Sequence, residues 1–132
     1  MADLTFFVTA YAVLVGLLLG SFINMAADRV PRSESLISPR SHCRACGRTL
    51  NLIDLLPVLG YLLRGGRCAT CRTPIGASAP AIEGVSGALV LASIVWLGLW
   101  PGALVGSILM ALWGLGIVAL AVRRRSLDRS AG

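Results

Sequence analysis

Four cysteines carry the most specific chemistry in the chain. They fall in two pairs, Cys43-Arg-Ala-Cys46 and Cys68-Ala-Thr-Cys71, with 21 residues between the pairs. A C-x2-C pair lets two thiolates approach one metal from a tight turn, and two such pairs supply the four ligands of a tetrahedral zinc site. The spacer exceeds the usual range by about one residue, a small departure because closing a slightly longer loop adds little entropy cost. The pairs read as two copies of one knuckle: Cys46 is followed by Gly47-Arg48-Thr49-Leu50 and Cys71 by Arg72-Thr73-Pro74-Ile75. With all four positions taken by protein, no coordination site is left for water. The metal is therefore expected to be structural, holding a loop too small to build its own core. His42 could stand in as a ligand, but four thiolates already fill the site. Disulfides are the competing reading, and a reducing compartment disfavours them.

The elements that must position this loop are apolar. Of the 132 residues, room for one domain, 56% are hydrophobic and 14% charged, with a mean hydropathy of +0.80, proportions that point to a lipid-embedded protein. Leu4 to Ala27 is a 24-residue stretch without a charge and Gly84 to Val122 another of 39, whereas one bilayer-spanning helix needs roughly 20. The second stretch is long enough for two spans and breaks naturally at Leu99-Trp100-Pro101-Gly102, since proline does not continue a helix. The expectation is an all-α integral membrane protein with spans at about 4–27, 82–99 and 103–122, a cysteine loop at 28–81 and a basic tail at 123–132. A cleaved signal peptide fits the first span poorly: Met1-Ala2-Asp3 lacks the required positive charge, and the apolar run is too long.

The net charge of +6 comes from 12 arginines, eight between Arg29 and Arg72 and the others at Arg123, Arg124, Arg125 and Arg129. Three spans put every one of them on the same side of the membrane. The positive-inside rule makes that side the cytoplasm, giving an N-out, C-in inner-membrane chain with a zinc-ribbon-like loop between the first two spans. A basic loop is also read as a nucleic-acid site, but topology already accounts for this charge and no nucleic-acid partner is expected.

Between the knuckles, Leu52 to Leu63 is too short to span and too apolar for a free loop; it is expected to pack between the knuckles and the membrane surface, pressing on lipid or a partner. Gly16, Gly20, Asn24 and Asp28 recur at four-residue spacing and share one helical face, and Gly102 and Gly106 form a second small-residue strip. Both suit close helix packing, with a ligand site as the alternative. Asp28 and Glu83, at the inner ends of two spans, could meet as an acid–base pair or serve structure by capping helices and pairing with Arg29 and Arg32; the structural reading is preferred. There is no G-x-G-x-x-G loop, P-loop, H-E-x-x-H or nucleophile elbow.

Taken in order, Gly20-Ser21-Phe22-Ile23-Asn24, Arg29-Val30-Pro31-Arg32, Glu34-Ser35, Pro39-Arg40-Ser41, the two C-x-x-C pairs, Asp54 with Pro57-Val58-Leu59, Gly66-Arg67-Cys68, and Pro80 with Ile82-Glu83 closely resemble the N-terminal domain of bacterial prepilin peptidases, over about residues 13 to 90. That resemblance implies membrane aspartic peptidases that cleave the leader of type IV prepilins and type II secretion pseudopilins at the cytoplasmic face, then methylate the new N-terminus with S-adenosylmethionine. It associates the cysteine loop with metal binding, substrate engagement and methylation, and marks Gly20, Ser21, Asn24, Arg29, Pro31, Asp54 and Glu83 as family-motif positions for substrate or partner contact.

The chain departs from the family where peptidase chemistry is concerned. Two aspartates from later membrane segments are needed, the second in a Gly-x-Gly-Asp motif, and the 132 residues stop before those segments. Arg123-Arg124-Arg125 stand where the first is expected, and Asp128 lacks its context. Peptidase activity by this chain alone is not expected. Asp28 replaces an aromatic or apolar residue, Leu55 an asparagine and Ala79 a tyrosine, which weakens the methyltransferase implication. Three functions follow in order of preference: an N-terminal module working beside a separate aspartic prepilin peptidase subunit, a non-enzymatic zinc-stapled subunit of another membrane complex, and an autonomous methyltransferase.

Overall fold

The computed structural model describes residues 2–131. Helix α1 (Ala2–Arg29) runs into a 3-10 turn (Val30–Arg32); a long loop containing the short helix α2 (Leu59–Leu63) follows, and then α3 (Ser78–Leu97) and α4 (Leu99–Ser130). Among the described residues there is no strand. The three long helices are each long and apolar enough to cross a membrane. A backbone in hydrocarbon must satisfy its own polar groups, which a helix does within one segment.

Their distribution of side chains is inverted relative to a water-soluble bundle. Arg29, Glu83, Ser86 and Ser93 are buried, whereas Phe6, Val95, Leu104 and Leu115 stand on the outside. Among the described residues, a small buried apolar cluster between helices is formed by Val90, Ile94 and Met110. Small residues bring the backbones together instead. A Cβ on Gly20 would lie 2.7 Å from the Cα of Glu83, and one on Gly106 would lie 2.9 Å from the Cα of Val90. Both glycine strips therefore pack on α3, Gly16 and Gly20 from α1 and Gly102 and Gly106 from α4, as close-packed membrane helices require. Gly16 meets Val90 whereas Gly20 meets Glu83, so α1 and α3 run antiparallel; Gly102 meets Ile94 and Gly106 meets Val90, so α3 and α4 do too. The cysteine loop and the arginine-rich end of α4 consequently share one end of the bundle.

Three boundaries differ from the expected ones. The reversal between the second and third helices lies at Gly98 (φ 84°), and α4 runs through Pro101, which occupies the first helical turn. There the missing N–H has no intrahelical acceptor to lose, so proline starts a helix as readily as it stops one. For the same reason α3 begins at Ser78, four residues earlier than expected, with Pro80 in its first turn. At the far end, α4 continues through Arg123-Arg124-Arg125 to Ser130. Trp96 and Trp100 project outward on either side of the Gly98 turn, the position of an interfacial aromatic anchor.

Candidate functional site

The two knuckles are built alike, residue for residue. In the first, the N–H of Cys43 donates to the carbonyl of Arg48 (2.8 Å), Gly47 donates back to Cys43 (2.8 Å) and Leu50 donates to Ser41 (2.8 Å). In the second, Cys68 donates to Thr73 (3.0 Å), Arg72 to Cys68 (3.1 Å) and Ile75 to Gly66 (2.7 Å). An isolated antiparallel bridge closes each, His42 to Thr49 and Arg67 to Pro74. The fifth residue of each turn must be left-handed: Gly47 has φ 72° and Arg72 has φ 58°. Glycine suits the first position, and the second holds an arginine in a conformation that crowds its Cβ.

This geometry brings the four sulfurs together, all within 4.8 Å of one another. Cys43 Sγ lies 3.8 Å from Cys71 Sγ, and Cys46 Sγ lies 4.0 Å from Cys68 Sγ. Tetrahedral zinc with Zn–S of about 2.3 Å sets its sulfurs about 3.8 Å apart, whereas a disulfide needs about 2 Å. The thiols are free, and the donor set fits a tetrathiolate metal centre. His42 is not part of it; its Nδ1 lies 3.0 Å from the carbonyl oxygen of Arg40.

The thiols are not equivalent. Backbone N–H groups of Cys71 and Thr70 bring Cys68 down to about 6, and the hydroxyl and N–H of Thr73 lower Cys71. At Cys46 the N–H of Arg48 lowers the pKa, but burial and three neighbouring thiols outweigh it and push the group up to about 11. Thiols this close do not all ionise on their own; a divalent cation supplies the charge that makes four thiolates stable together.

Asp54 ties this centre to the segment between the knuckles. Its buried carboxylate accepts from Arg48 Nη2 (2.5 Å), Arg64 Nε (2.7 Å) and the N–H of Asn51 (3.1 Å). Burial raises its pKa, but the Asn51 N–H and the two arginines prevail and hold it below the usual carboxylate range. Arg48 and Arg64 carry no mark in the sequence as Asp54's partners; the only available signal is that Arg48 belongs to a knuckle repeat. In the apolar segment Leu52, Leu62 and Leu63 are 81%, 63% and 67% exposed, so this face is turned outward. Gly60 permits the fold-back of α2, since a Cβ there would sit 2.7 Å from the carbonyl oxygen of Ile53.

The other motif residues collect around a 620 Å³ cleft between the loop and the ends of α1 and α3. Ser21, Asn24, Asp54 and Glu83 line it, with Tyr61 and Arg64 on the loop side. Gly20 lies just outside, packed on Glu83. Arg29 is buried and donates to the carbonyls of Ser35 (2.7 Å) and Pro39 (2.8 Å), folding the 33–39 segment over the end of α1. Pro31 is in the 3-10 turn after it. Asp28 and Glu83 do not form an acid–base pair: Asp28 is held by Arg32 and Arg44, while Glu83 accepts the N–H of Val58 at 2.6 Å.

Three helices long and apolar enough to cross a membrane, joined to a loop whose four cysteine sulfurs lie close enough to hold one metal ion, define the class of the chain. The profile of the bacterial peptidase A24 N-terminal domain matches residues 14–97, and the chain belongs to that family. It is 34% identical to a prepilin leader peptidase/N-methyltransferase of Burkholderia pseudomallei, over 93% of this chain and 45% of that protein. It is 40% identical to a protein of the same name from Bacillus subtilis, over 64% of this chain and 34% of the relative. The Pseudomonas aeruginosa counterpart is 29% identical over 82% and 44%. The chain thus spans less than half the length of these curated relatives. No solved structure matches it significantly.

Proposed function

We propose that this chain is a prepilin-peptidase-like N-terminal module that engages a prepilin or pseudopilin at the membrane surface, alongside a separate aspartic peptidase unit that supplies the hydrolytic carboxylates. The observation that carries the reading is the convergence of Ser21, Asn24, Asp54 and Glu83 on one cleft where the metal loop meets the helix ends. An extended segment emerging from the bilayer can lie there between apolar walls and polar side chains, the usual make-up of a recognition site. Asp28 and Asp54 already bind arginines, which ties them to scaffolding rather than to proton transfer.

The metal in this reading is zinc, held by Cys43, Cys46, Cys68 and Cys71 and confined to a structural role. The loop lies in the cytoplasm, with the N-terminus outside, because every arginine collects at its end of the bundle. S-adenosylmethionine has no part in this reading.

The test is site-specific photo-crosslinking in native membranes. A photoreactive residue at Asn24 is expected to capture the N-terminal segment of a prepilin, while one at the lipid-facing Leu104 captures none. Purification without crosslinker is expected to bring down a membrane aspartic peptidase. A stoichiometric complex free of pilin components, with no capture from Asn24, refutes the proposal and leaves an accessory subunit of another membrane assembly. Thiol reagents applied from outside intact cells are expected to leave Cys46 and Cys71 unmodified.

A further inference from the structure

A second cleft, of 480 Å³, opens between the ends of α1 and α4. Arg32, Arg124, Arg125 and Arg129 line it together with Asp28 and Asp128. Its charge is therefore +2 by composition, four arginines against two aspartates. The effective imbalance is larger on the α4 side, because Asp28 is already shared between Arg32 and Arg44, whereas Arg124, Arg125 and Arg129 have no carboxylate partner among the described residues. Small residues, Ala27 and Ala121, lie at the apolar edge of the cleft and leave room between the helices. They mark the level at which both helices leave the hydrocarbon, since the uncharged runs end at Ala27 and Val122. At that depth stand the phosphates of the lipid headgroups.

The geometry points to a binding site for the phosphodiester of an anionic phospholipid, gripped by Arg124, Arg125 and Arg129 of α4 and by Arg32 of the 3-10 turn. Guanidinium groups match phosphate oxygens in pairs, and a basic recess between helix ends at the interface holds a headgroup while the acyl chains follow the apolar faces below. Three of the four arginines lie beyond residues 14–97, so most of the site's positive charge comes from outside the matched domain, while Arg32 and Asp28 belong to it. Its consequence is that α4 continues as an ordered helix past the bilayer, its terminal turns clamped to a lipid rather than to protein.

The experiment is native mass spectrometry of the full chain from micelles doped with phosphatidylglycerol or phosphatidylcholine of identical acyl chains. The wild type is expected to retain phosphatidylglycerol preferentially, and Arg125→Gln to weaken that retention about fivefold. Arg123→Gln, an equal charge change at the residue next to Arg124 that does not line the cleft, is expected to leave it unaltered. Circular dichroism of each variant reports whether the helices are intact. Equal losses from Arg123→Gln and Arg125→Gln, or no preference in the wild type, overturn the site. Displacement of the lipid by millimolar inorganic phosphate overturns the lipid assignment in favour of a soluble phosphate ligand. Retention in that phosphate supports the lipid.

Discussion

Oε2 of Glu83 accepts the backbone N–H of Val58 at 2.6 Å, joining the second membrane helix to the turn that opens α2. Val58 has φ 57° and ψ −49°, a conformation that a β-branched residue adopts only when its surroundings impose it. The carboxylate and the strained turn thus explain each other: a fixed acceptor on α3 holds the loop where the cleft needs a wall.

Replacing Glu83 with alanine is expected to leave that N–H unpaired and destabilise the loop by about 1–3 kcal/mol. Glutamine keeps an acceptor oxygen and is expected to lose less. Val58→Gly relieves the backbone and is expected to recover about 1 kcal/mol. Hydrogen exchange across residues 52–63 measures all three; equal protection in the alanine and glutamine variants would remove the hydrogen bond from the explanation.

Much of this arrangement was legible in the sequence, for identifiable reasons. Uncharged runs declare helices fit to cross a membrane because hydrocarbon leaves the backbone no other partner, and paired cysteines declare four sulfurs able to meet at one metal because tetrahedral geometry demands their spacing. The glycine strips were likewise readable, since four-residue spacing is a helix face. Helix ends were less so. Pro80 and Pro101 look like interruptions, yet each sits in a first turn where proline loses nothing. The contacts of Glu83 with Val58 and of Asp54 with Arg64 depend on how the loop folds back, which no periodicity records.

The matched knuckles make an internal control. Gly47 and Arg72 hold the same left-handed position, and a Cβ on Gly47 would meet nothing within 4 Å. Gly47→Ala is therefore expected to destabilise its knuckle by about 1 kcal/mol through backbone conformation alone, and Arg72→Gly to stabilise the other by a similar amount. Opposite shifts in the chelator concentration that releases half the metal are the readout. Shifts of the same sign contradict the equivalence.

Asp54 makes the loop sensitive to acid. Its pKa in the folded chain lies below the ordinary 3.8. The stabilisation is therefore complete above that value and disappears as pH falls through the lower, folded one. Acid also strips metal from thiolates, so wild type must be compared with Asp54→Asn at each pH, the metal effect being common to both. The gap in unfolding midpoint is expected to be constant from neutral pH to about 4 and to narrow below it. A gap that widens on acidification would show that the Arg48 and Arg64 contacts are not what stabilises the carboxylate.

The metal itself supplies the last test. Four sulfurs within 4.8 Å, one of them on the buried Cys68, are held by two short knuckles with no apolar core between them. Without a cation the thiol network must keep protons on groups such as Cys46, because Arg48 beside Cys68 does not balance several thiolates alone. Elemental analysis of the purified chain is expected to find about one zinc per chain, and Cys43→Ser/Cys68→Ser to find almost none. Because the membrane helices satisfy their own backbones, the double variant is expected to keep its helical content while the 40–76 segment becomes open to protease. Full metal content in that variant would mean that other residues coordinate the ion, and an intact loop without metal would mean that the hydrogen-bonded knuckles stand unaided.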